Sequence, residues 1–362
     1  MLKFLSMDVS SVFTVSFLSN LIIIICFSLI VSKPIKRNDI NAVQASHMKP
    51  VARIGGLSVM LALVFATLPF LKTTSIWSSY SLLLLSTFPV FIVGFCEDLG
   101  YFSSPRMRFF AAVFSGAVFV SVFDLWLQRT DVPGLDFIMQ WTIVGIGFSL
   151  FLAAGVNHAF NLIDGLNGLS SFTAVGVALS LAVISHQVGL VEHLHGLIVL
   201  VSAIAGFLVF NFPYGKIFLG DGGAYAIGHM LVWIAISILY ASPSVTPLAI
   251  LLIFFYPVVD TMLAIARRVY LGVPISHPDR LHFHQLVMRG VEGLIIGHKW
   301  KHVANPLAAI ITLPFAFFPM IAGVLLAFDR NYAAAACFIF LTIFVITYLT
   351  IIKMTAQVDS SA

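Results

Sequence analysis

Residues 141–160 read WTIVGIGFSLFLAAGVNHAF, twenty residues without a single Asp, Glu, Lys or Arg. A helix needs about 20 predominantly apolar residues to cross the hydrocarbon core of a bilayer, so this stretch is long enough to span one. The run is continuous, and only a helix satisfies all its backbone hydrogen bonds within one such segment. We therefore predict a membrane helix here, followed directly by the polar sequence NLIDGLNG at 161–168.

The same apolar character extends along the whole chain. Of its 362 residues, 60% are hydrophobic and 9% are charged, whereas a soluble domain carries roughly 25% charged residues. We therefore predict an all-α polytopic membrane protein, a single membrane domain over residues 1–362 with about eleven transmembrane helices. The predicted spans are 12–32, 54–71, 79–96, 109–127, 141–160, 169–188, 196–212, 223–241, 247–266, 306–328 and 332–352.

Basic residues fall mainly on one side of this predicted topology. Of the 19 Lys and Arg residues, fifteen lie on that side and four on the other. Cytoplasmic loops carry an excess of Lys and Arg, so the basic side is predicted to be cytoplasmic, with the N-terminus outside and the C-terminus inside. The first apolar run has no small-residue cleavage site after it and is interpreted as a retained helix. The longest cytoplasmic loop is predicted at about 267–305.

Most acidic residues near span ends share the basic side. They occur in GFCEDLG (94–100), NLIDGLNG (161–168), GDGGA (220–224), PVVDT (257–261) and HPDRLHFHQ (277–285). Ionisable groups are costly in a membrane and mark functional sites. Carboxylate and amide oxygens suit Mg²⁺ or Mn²⁺, and Lys, Arg and Gly-rich turns suit phosphate groups. The combination predicts metal-assisted phosphoryl transfer to a phosphate that arrives from the lipid.

Each motif also has a purely structural interpretation, and these stay open at this point. The Glu-Asp pair could be interfacial charge at a helix end, and the Asn-Gly and Asp-Gly pairs could be ordinary turns. Asp260 could be an ion-pair partner of Arg267. His282 and His284 are two residues apart, so on a helix they would not share a face, and they could be solvated loop side chains. The remaining histidines are interpreted as structural or interfacial: His158, His186, His193, His195 and His229.

Six segments in order resemble the polyprenyl-phosphate N-acetylhexosamine-1-phosphate transferases, a family that includes WecA-like, TagO-like and MraY enzymes. The segments are HMKPVARIGGLS, GFCEDLGYFSSPRMR, NHAFNLIDGLNGLSS, KIFLGDGGAYAIG, PVVDTMLAIARR and HPDRLHFHQL, between about residues 47 and 290. The resemblance implies a bundle of ten or eleven helices in the bacterial inner membrane, with a cytoplasmic active-site cleft, a periplasmic N-terminus and a cytoplasmic C-terminus. It implies transfer of a sugar 1-phosphate from a UDP-sugar, with UDP-GlcNAc as the expected donor, to undecaprenyl phosphate with release of UMP. Such a reaction would initiate a cell-surface polysaccharide such as O-antigen.

The resemblance also implies a cofactor and a set of catalytic residues. Mg²⁺ or Mn²⁺ is the expected cofactor, with Asp221 as the principal metal ligand, Asn161 as a second ligand and Asp164 close by. Asp98 is the expected nucleophile or base, with Glu97 beside it. A one-step transfer and a two-step route through a phospho-aspartate both remain open.

Substrate-binding residues are implied in the same way. Phe218 is expected to stack on uracil and Asn167 to hydrogen-bond it. His282 and His284 are expected near the diphosphate. The candidates for phosphate contacts are Lys49, Arg106, Arg108, Lys216 and Arg280.

The chain departs from the common family pattern at three positions. Glu97 replaces the first Asp of the usual Asp-Asp pair, so Asp98 carries more weight. Asn167 replaces the second Asp of DGxDG, which fits a hydrogen bond to uracil better than metal binding. Gln285 replaces the third residue of the usual histidine run, and this argues against the MraY branch.

Two functions of other classes compete with this interpretation. A transporter or lipid flippase would carry ionisable groups near the bilayer midplane in paired broken helices, whereas most charges here lie at span ends. A non-catalytic scaffold would have no reason to gather metal ligands on one side. The net charge of +4 is spread thinly and indicates no nucleic-acid partner. The lipid bilayer and the two substrates are the expected partners, with a homodimer as one option.

Overall fold

The computed structural model of the chain describes residues 2–30, 51–67, 75–101, 104–274, 281–296 and 300–361. Its regular elements in these ranges are helical, as the absence of alternating polarity predicts. A π-helical turn at Val291–Ile296 directly follows the twelfth α-helix. The α-helices are α1 Leu2–Ile30, α2 Gly55–Thr67, α3 Ser75–Asp98, α4 Pro105–Phe123, α5 Pro133–Met139, α6 Thr142–Leu162, α7 Leu169–Gln187, α8 Val191–Asn211, α9 Gly220–Ala241, α10 Pro247–Ile253, α11 Phe255–Tyr270, α12 Phe283–Gly290, α13 Lys301–Thr312, α14 Pro314–Leu325 and α15 Arg330–Ser361.

The prediction of an all-α polytopic membrane protein is confirmed. Within the described ranges, nine helical stretches are long and apolar enough to cross a bilayer, and one bent pair of helices raises the number to ten. The predicted span 54–71 is described only as far as Thr67, as the short apolar helix α2. The predicted span 306–328 corresponds to α13 and α14, which together form one crossing stretch, His302–Leu325.

The predicted span 247–266 consists of two helices, α10 and α11, rather than one continuous helix. The chain bends by 83° between α10 and α11. Pro257 explains the break, because it has no N–H to donate to the carbonyl of Ile253 and its ring would clash with that carbonyl. Helix α10 ends at Ile253. Helix α11 therefore changes direction and packs against α6 and α14. The neighbours of Asp260 consequently differ from those it would have in one continuous helix.

Helix α9 is the central element, packed mainly between α3 and α6 and buried over most of its length. Its first turn is held by backbone contacts that only glycine allows. A Cβ on Gly94 would lie 2.6 Å from the amide nitrogen of Gly222, and a Cβ on Gly56 would collide with the backbone of Gly223. Gly56, in the segment ARIGGLS, thus serves the packing of α2 on α9, and Gly94 brings the end of α3 against the start of α9.

Candidate active site

The predicted acidic residues meet at one end of the bundle. Helices α3 and α6 end there, and α4 and α9 begin there. Glu97 and Asp98 close α3, Asn161 lies in the last turn of α6, and Asp221 lies in the first turn of α9. The structure therefore brings together side chains that are more than 120 residues apart in the sequence.

Asp98 caps the N-terminus of α9. Its Oδ1 accepts a hydrogen bond from the amide of Asp221 at 2.9 Å, and its Oδ2 accepts one from the amide of Gly222 at 2.9 Å. The first amides of a helix have no partner within the helix and favour negative charge, so the carboxylate is held where the helix needs it. Gly220 adopts a φ of +80°, and a Cβ there would lie 2.6 Å from Asp98 Oδ2. A glycine at position 220 is thus required by the close approach of this carboxylate.

Asp221 is the centre of a second set of contacts. Its Oδ1 accepts a hydrogen bond from Asn161 Nδ2 at 3.0 Å, and its Oδ2 lies 3.4 Å from an Arg108 guanidinium nitrogen. The same nitrogen of Arg108 lies 3.1 Å from Glu97 Oε2. One guanidinium group therefore serves two carboxylates from two different helices.

Asp164 shows that this end of the bundle is short of positive charge. Burial raises the pKa of its carboxyl well above the ordinary value, and the nearby charge of Asp221 raises it further. The charge of Arg53 and the amide of Gly220 act against the shift but do not cancel it. Among the described residues, four carboxyl groups thus share two guanidinium groups, those of Arg53 and Arg108.

This donor set fits a hard divalent cation. Over the described ranges, no three side chains among His, Cys, Asp and Glu are placed to share one metal ion. Mg²⁺ does not need such a cage, because it keeps several waters and binds one or two carboxylates together with substrate phosphates. Asp221 and Asp164 supply those carboxylates. Asn161 would have to turn its amide over to offer oxygen, since its Nδ2 faces Asp221 and its Oδ1 accepts from Tyr225.

A polar niche borders the cluster on the side of the 161–168 turn. Asn167 is buried, its Nδ2 donates to the carbonyl of Pro213 at 2.8 Å, and its backbone N–H donates to Asn305 Oδ1 at 2.8 Å. Its Oδ1 has no partner among the described residues, although it is shielded from solvent. Phe218 lies five residues after Pro213 in the sequence. The backbone carbonyl of Phe218 accepts a hydrogen bond from the amide of Gly55. An acceptor that is buried without a donor is costly, so the niche is suited to an N–H group of a ligand.

The other predicted phosphate contacts divide into two groups. Arg106 and Lys216 are exposed at this end of the bundle and take no part in the contacts of the carboxylate cluster. Lys49 and Arg280 lie outside the described residues. Arg108 is thus the predicted phosphate-binding residue that the structure places within the cluster.

His282 and His284 are not solvated loop side chains, which was the structural alternative left open from the sequence. His282 precedes α12 as its N-cap, with extended backbone, so helical spacing does not apply. Both residues are buried, and their rings stack with centroids 5.8 Å apart. His284 Nε2 would lie 2.8 Å from a Cβ on Gly165, so the histidine pair comes up against the 161–168 turn. Burial, aided by the charge of His282, lowers the pKa of His284 to about 4 despite the opposing charge of Asp260.

Asp260 pairs with these histidines. Its Oδ2 lies 2.8 Å from His282 Nδ1, and its Oδ1 accepts from the amide of Phe283 at 2.8 Å. Arg267, the partner considered from the sequence, contacts Tyr348 through both its guanidinium nitrogen and the ring face. The Pro257 bend explains the difference, because it turns the Asp260 face of α11 toward α12.

Three residues of the cluster were not predicted as site residues, and one of them, His158, was interpreted from the sequence as structural or interfacial. Arg53 acts on Asp98 and Asp164. Tyr225 donates to Asn161 Oδ1 at 3.3 Å, and His158 Nδ1 lies 3.4 Å from the Tyr225 hydroxyl. Helical spacing could have identified two of these residues. Tyr225 follows Asp221 by four residues, and His158 precedes Asn161 by three. Each therefore lies on the same helix face as a predicted metal ligand.

Fold and site together define a polytopic membrane protein with a buried acidic cluster at one end of its bundle. Residues 80–239 match glycosyl transferase family 4. A probable undecaprenyl-phosphate N-acetylglucosaminyl 1-phosphate transferase of Bacillus subtilis is 29% identical over 243 residues, 67% of each chain. A decaprenyl-phosphate N-acetylglucosaminephosphotransferase of Mycobacterium tuberculosis is 28% identical over 289 residues, 71% of this chain and 69% of its own. A phospho-N-acetylmuramoyl-pentapeptide-transferase of Staphylococcus carnosus is 24% identical over 253 residues, 66% of this chain and 78% of its own.

The chain is thus similar to glycosyl transferase family 4 over residues 80–239, and to polyprenyl-phosphate N-acetylglucosamine phosphate transferases over 67% to 71% of its length. The matched segment contains the ends of α3 and α6 and the start of α9, which together hold the carboxylate cluster. The family resemblance inferred from the motifs is thereby confirmed.

Proposed function

We propose that this chain transfers N-acetylglucosamine 1-phosphate from UDP-GlcNAc to undecaprenyl phosphate and releases UMP. The observation that supports this most is the carboxylate cluster at the start of α9, with four carboxyl groups against two guanidinium groups in the part of the chain described. A site of this charge favours a divalent cation, and a cation with Arg108 favours a diphosphate. The names of the Bacillus and Mycobacterium relatives agree in the N-acetylglucosamine phosphate and in a polyprenyl phosphate acceptor, which is undecaprenyl phosphate in the first and decaprenyl phosphate in the second.

The residues proposed to bind uracil, Asn167 and Phe218, fit the same UDP-GlcNAc substrate. The unpartnered Asn167 Oδ1 matches the single ring N–H of uracil, and Phe218 offers a ring on which the base can stack. Replacing Phe218 with Leu should raise the KM for UDP-GlcNAc about 10-fold, the loss expected for one stacked base. An unchanged KM would exclude Phe218 from the uracil site.

A metal ion held by Asp221 and Asp164 would neutralise the charge of the diphosphate. Arg108 binds phosphate oxygens between Glu97 and Asp221 and so aligns the reacting phosphorus. Asp98 is fixed by two helix amides, and each of its oxygens keeps a lone pair for the proton of the lipid phosphate. The two amides stabilise its charge and weaken it as a nucleophile, so a one-step transfer is favoured over a phospho-aspartate.

The orientation proposed from Lys and Arg places this site at the cytoplasmic face of the bacterial inner membrane. Lipid phosphate would then enter from the inner leaflet and UDP-GlcNAc from the cytoplasm. The N-terminus would be periplasmic and the C-terminus cytoplasmic. Initiation of O-antigen is the pathway proposed.

The test is transfer of labelled sugar phosphate from UDP-GlcNAc to undecaprenyl phosphate by the purified protein, with Mg²⁺ or with EDTA. Label in the lipid phase, with UMP as the released nucleotide and dependence on Mg²⁺, supports the proposal. Release of UDP would instead identify a transferase that moves the sugar alone. Absence of transfer from any UDP-N-acetylhexosamine by folded protein would favour the transporter, whose one supporting feature among the described residues is the bent helix pair α10–α11.

A further inference from the structure

Asp260 faces the same nitrogen of two buried imidazole rings. Its Oδ2 lies 2.8 Å from His282 Nδ1 and 3.9 Å from His284 Nδ1. The three side chains are at most 2% exposed, and the two rings are 24° from parallel. His282 Nε2 therefore lies on the ring edge that is turned away from the carboxylate.

The hydrogen bonds of Asp260 determine which nitrogen of His282 carries hydrogen. An ionised carboxylate only accepts hydrogen bonds. Its Oδ1 accepts from the backbone amide of Phe283 at 2.8 Å, and its Oδ2 lies 2.8 Å from His282 Nδ1. Nδ1 therefore carries hydrogen whether the ring is neutral or charged, and only Nε2 is left to bind another group. This assignment involves neither Asn161 nor the carboxylates proposed to bind metal.

The Nε2 atoms of both rings are shielded from solvent and have no hydrogen-bond partner in the described part of the chain. His284 Nε2 would lie 2.8 Å from a Cβ on Gly165, so it meets the 161–168 turn. That turn carries Asp164, proposed to bind metal, and Asn167, proposed to bind uracil. Because a buried polar atom without a partner is costly, the open Nε2 atoms fit the part of a nucleotide sugar that joins its base to its phosphates.

A helix cap accounts for only half of the contacts of Asp260. Phe283 is the first residue of α12, and its amide has no acceptor within the helix. Asp260 Oδ1 supplies that acceptor. A cap needs no histidine, however, and the second carboxylate oxygen is directed at an imidazole. The pairing with His282 therefore calls for a second role.

We propose that Asp260 is a positioning residue of the transfer reaction, which acts through His282 by holding hydrogen on Nδ1 and presenting Nε2 to the nucleotide sugar. The inference rests on the proposed transferase function. Asp260→Asn is the isosteric test, because an amide oxygen that still accepts from Phe283 turns the amide nitrogen toward His282. Nδ1 must then accept, and the hydrogen of the neutral ring moves to Nε2.

The size of the effect follows from what the ring does. The same change in a Ser-His-Asp triad, where the histidine transfers protons, lowers kcat about 10⁴-fold through the wrong tautomer. A histidine that binds substrate should cost less, so we expect Asp260→Asn to lower kcat/KM for UDP-GlcNAc about 10- to 100-fold. Thermal unfolding should stay close to that of wild type, because the shape and the cap are kept.

His282→Asn separates the two nitrogens of the ring. The Asn amide nitrogen reaches the position of Nδ1 and can still donate to Asp260, and Asn is a favoured residue at the start of a helix. Nothing remains at the position of Nε2, so kcat/KM should fall about 10- to 100-fold in folded protein. Adding Asp260→Asn to this variant should change kcat/KM by less than about 3-fold. Asp131→Asn, an isosteric change of a buried aspartate at the other end of the bundle, is the control and should leave kcat/KM unchanged.

The double-variant cycle decides between the two roles of Asp260. An equal loss on Asp260→Asn in both backgrounds, or no loss in the wild-type background, would overturn the inference, and Asp260 would only cap α12. An unchanged kcat/KM in His282→Asn would overturn it as well, even if Asp260→Asn does not fold.

Nitrogen NMR of histidine-labelled protein tests the tautomer without turnover. One ring should carry its hydrogen on Nδ1 in wild type and on Nε2 in Asp260→Asn, and identical spectra would contradict the inference. If wild type releases no UMP, the transferase proposal fails by itself. The NMR comparison and equilibrium binding of UDP-GlcNAc to wild type and Asp260→Asn then decide the role of Asp260.

Discussion

The two ends of the bundle both gather arginine and aspartate, but they use them differently. At the far end from the candidate site, Asp131 is buried, and each of its carboxylate oxygens has a partner, one in Arg129 at 2.7 Å and the other in Thr246. Its carbonyl accepts from Arg330 at 2.7 Å, and Arg129 also donates to the carbonyls of 243 and 245. We call Arg129, Asp131, Thr246 and Arg330 the clasp, because they tie together the 124–132 and 242–246 segments and the start of α15.

The buried carboxylate of the clasp has all its hydrogen-bond and charge partners within the protein, whereas the carboxylate cluster has more negative than positive groups. In the clasp one carboxylate has a donor at each oxygen, Arg129 and Thr246, whereas in the cluster four carboxyl groups meet two arginines within the described residues. A buried charge without compensation is expensive, so an unbalanced cluster persists where a ligand completes it. The contrast separates a polar group that stabilises the fold from one that serves function.

Replacing Asp221 with Asn should have the largest effect on transfer, a loss of about 1,000-fold or more, because the diphosphate site loses its central carboxylate. In EDTA the variant should unfold at the same temperature as wild type or a higher one, since repulsion with Asp98 and Asp164 is relieved. Transfer rates and thermal unfolding in detergent measure both. A fall in Tm of more than about 5 °C in EDTA would show that the cluster is as structural as the clasp.

Asp98→Asn should cost both activity and stability. Its amide group would point an N–H at one of the two α9 amides that the carboxylate now accepts, so the free energy of unfolding should fall by about 1–3 kcal/mol. Transfer should fall about 100-fold or more. Residual turnover above about a tenth of wild type, in protein shown to be folded, would remove Asp98 from the chemistry.

Asp131→Asn is the matched change in the clasp. It leaves Arg129 without its buried carboxylate, so stability should fall by about 1–3 kcal/mol. The kcat and both KM values of the folded protein should stay at wild-type levels, with or without added Mg²⁺. A selective loss of transfer would mean that the two ends are coupled and that the comparison fails.

The buried pair His282 and His284 predicts a smaller effect, a dependence of the protein's stability on pH. His284 is protonated at about pH 4 in the folded state and near pH 6.5 when unfolded. The unfolded chain therefore binds more protons between these values, and the stability present above pH 6.5 is lost as the pH falls toward 4. His284→Gln should flatten this part of the Tm–pH curve, whereas Asp131→Asn should leave its shape unchanged. Parallel curves for wild type and His284→Gln would contradict the buried, neutral state of His284.

Much of the fold could be predicted because lipid leaves few choices. Uncharged runs such as 141–160 and 223–241 can only be helices, and the cytoplasmic bias of basic residues grouped the acidic motifs on one side. The bend at Pro257 was readable from the sequence as well, since a proline inside an apolar run marks a break. The stretch 247–266 was predicted as one span because hydropathy alone averages over that residue.

The contacts of individual site residues could not be predicted in the same way. The hydrogen bonds by which Asp98 caps α9 depend on the distance between α3 and α9. The close approach of Gly94 to Gly222 sets that distance to within tenths of an ångström. The pairing of Asp260 with His282 depends on the direction of α11 after the bend. Finding Tyr225 and His158 from the sequence required combining two helical spacings, Asp221 to Tyr225 on α9 and His158 to Asn161 on α6. Neither residue belongs to a motif that marks it by itself.

The most direct test of the account is the binding of UDP-GlcNAc by calorimetry in Mg²⁺ and in EDTA, to wild type and to Asp221→Asn. If the cluster is left short of positive charge in order to take a cation with the diphosphate, wild type should bind tightly only with Mg²⁺, and the variant should lose that dependence together with most of its affinity. Equal binding to wild type in Mg²⁺ and in EDTA would contradict the central claim, because the cluster would then recognise the nucleotide sugar without the cation.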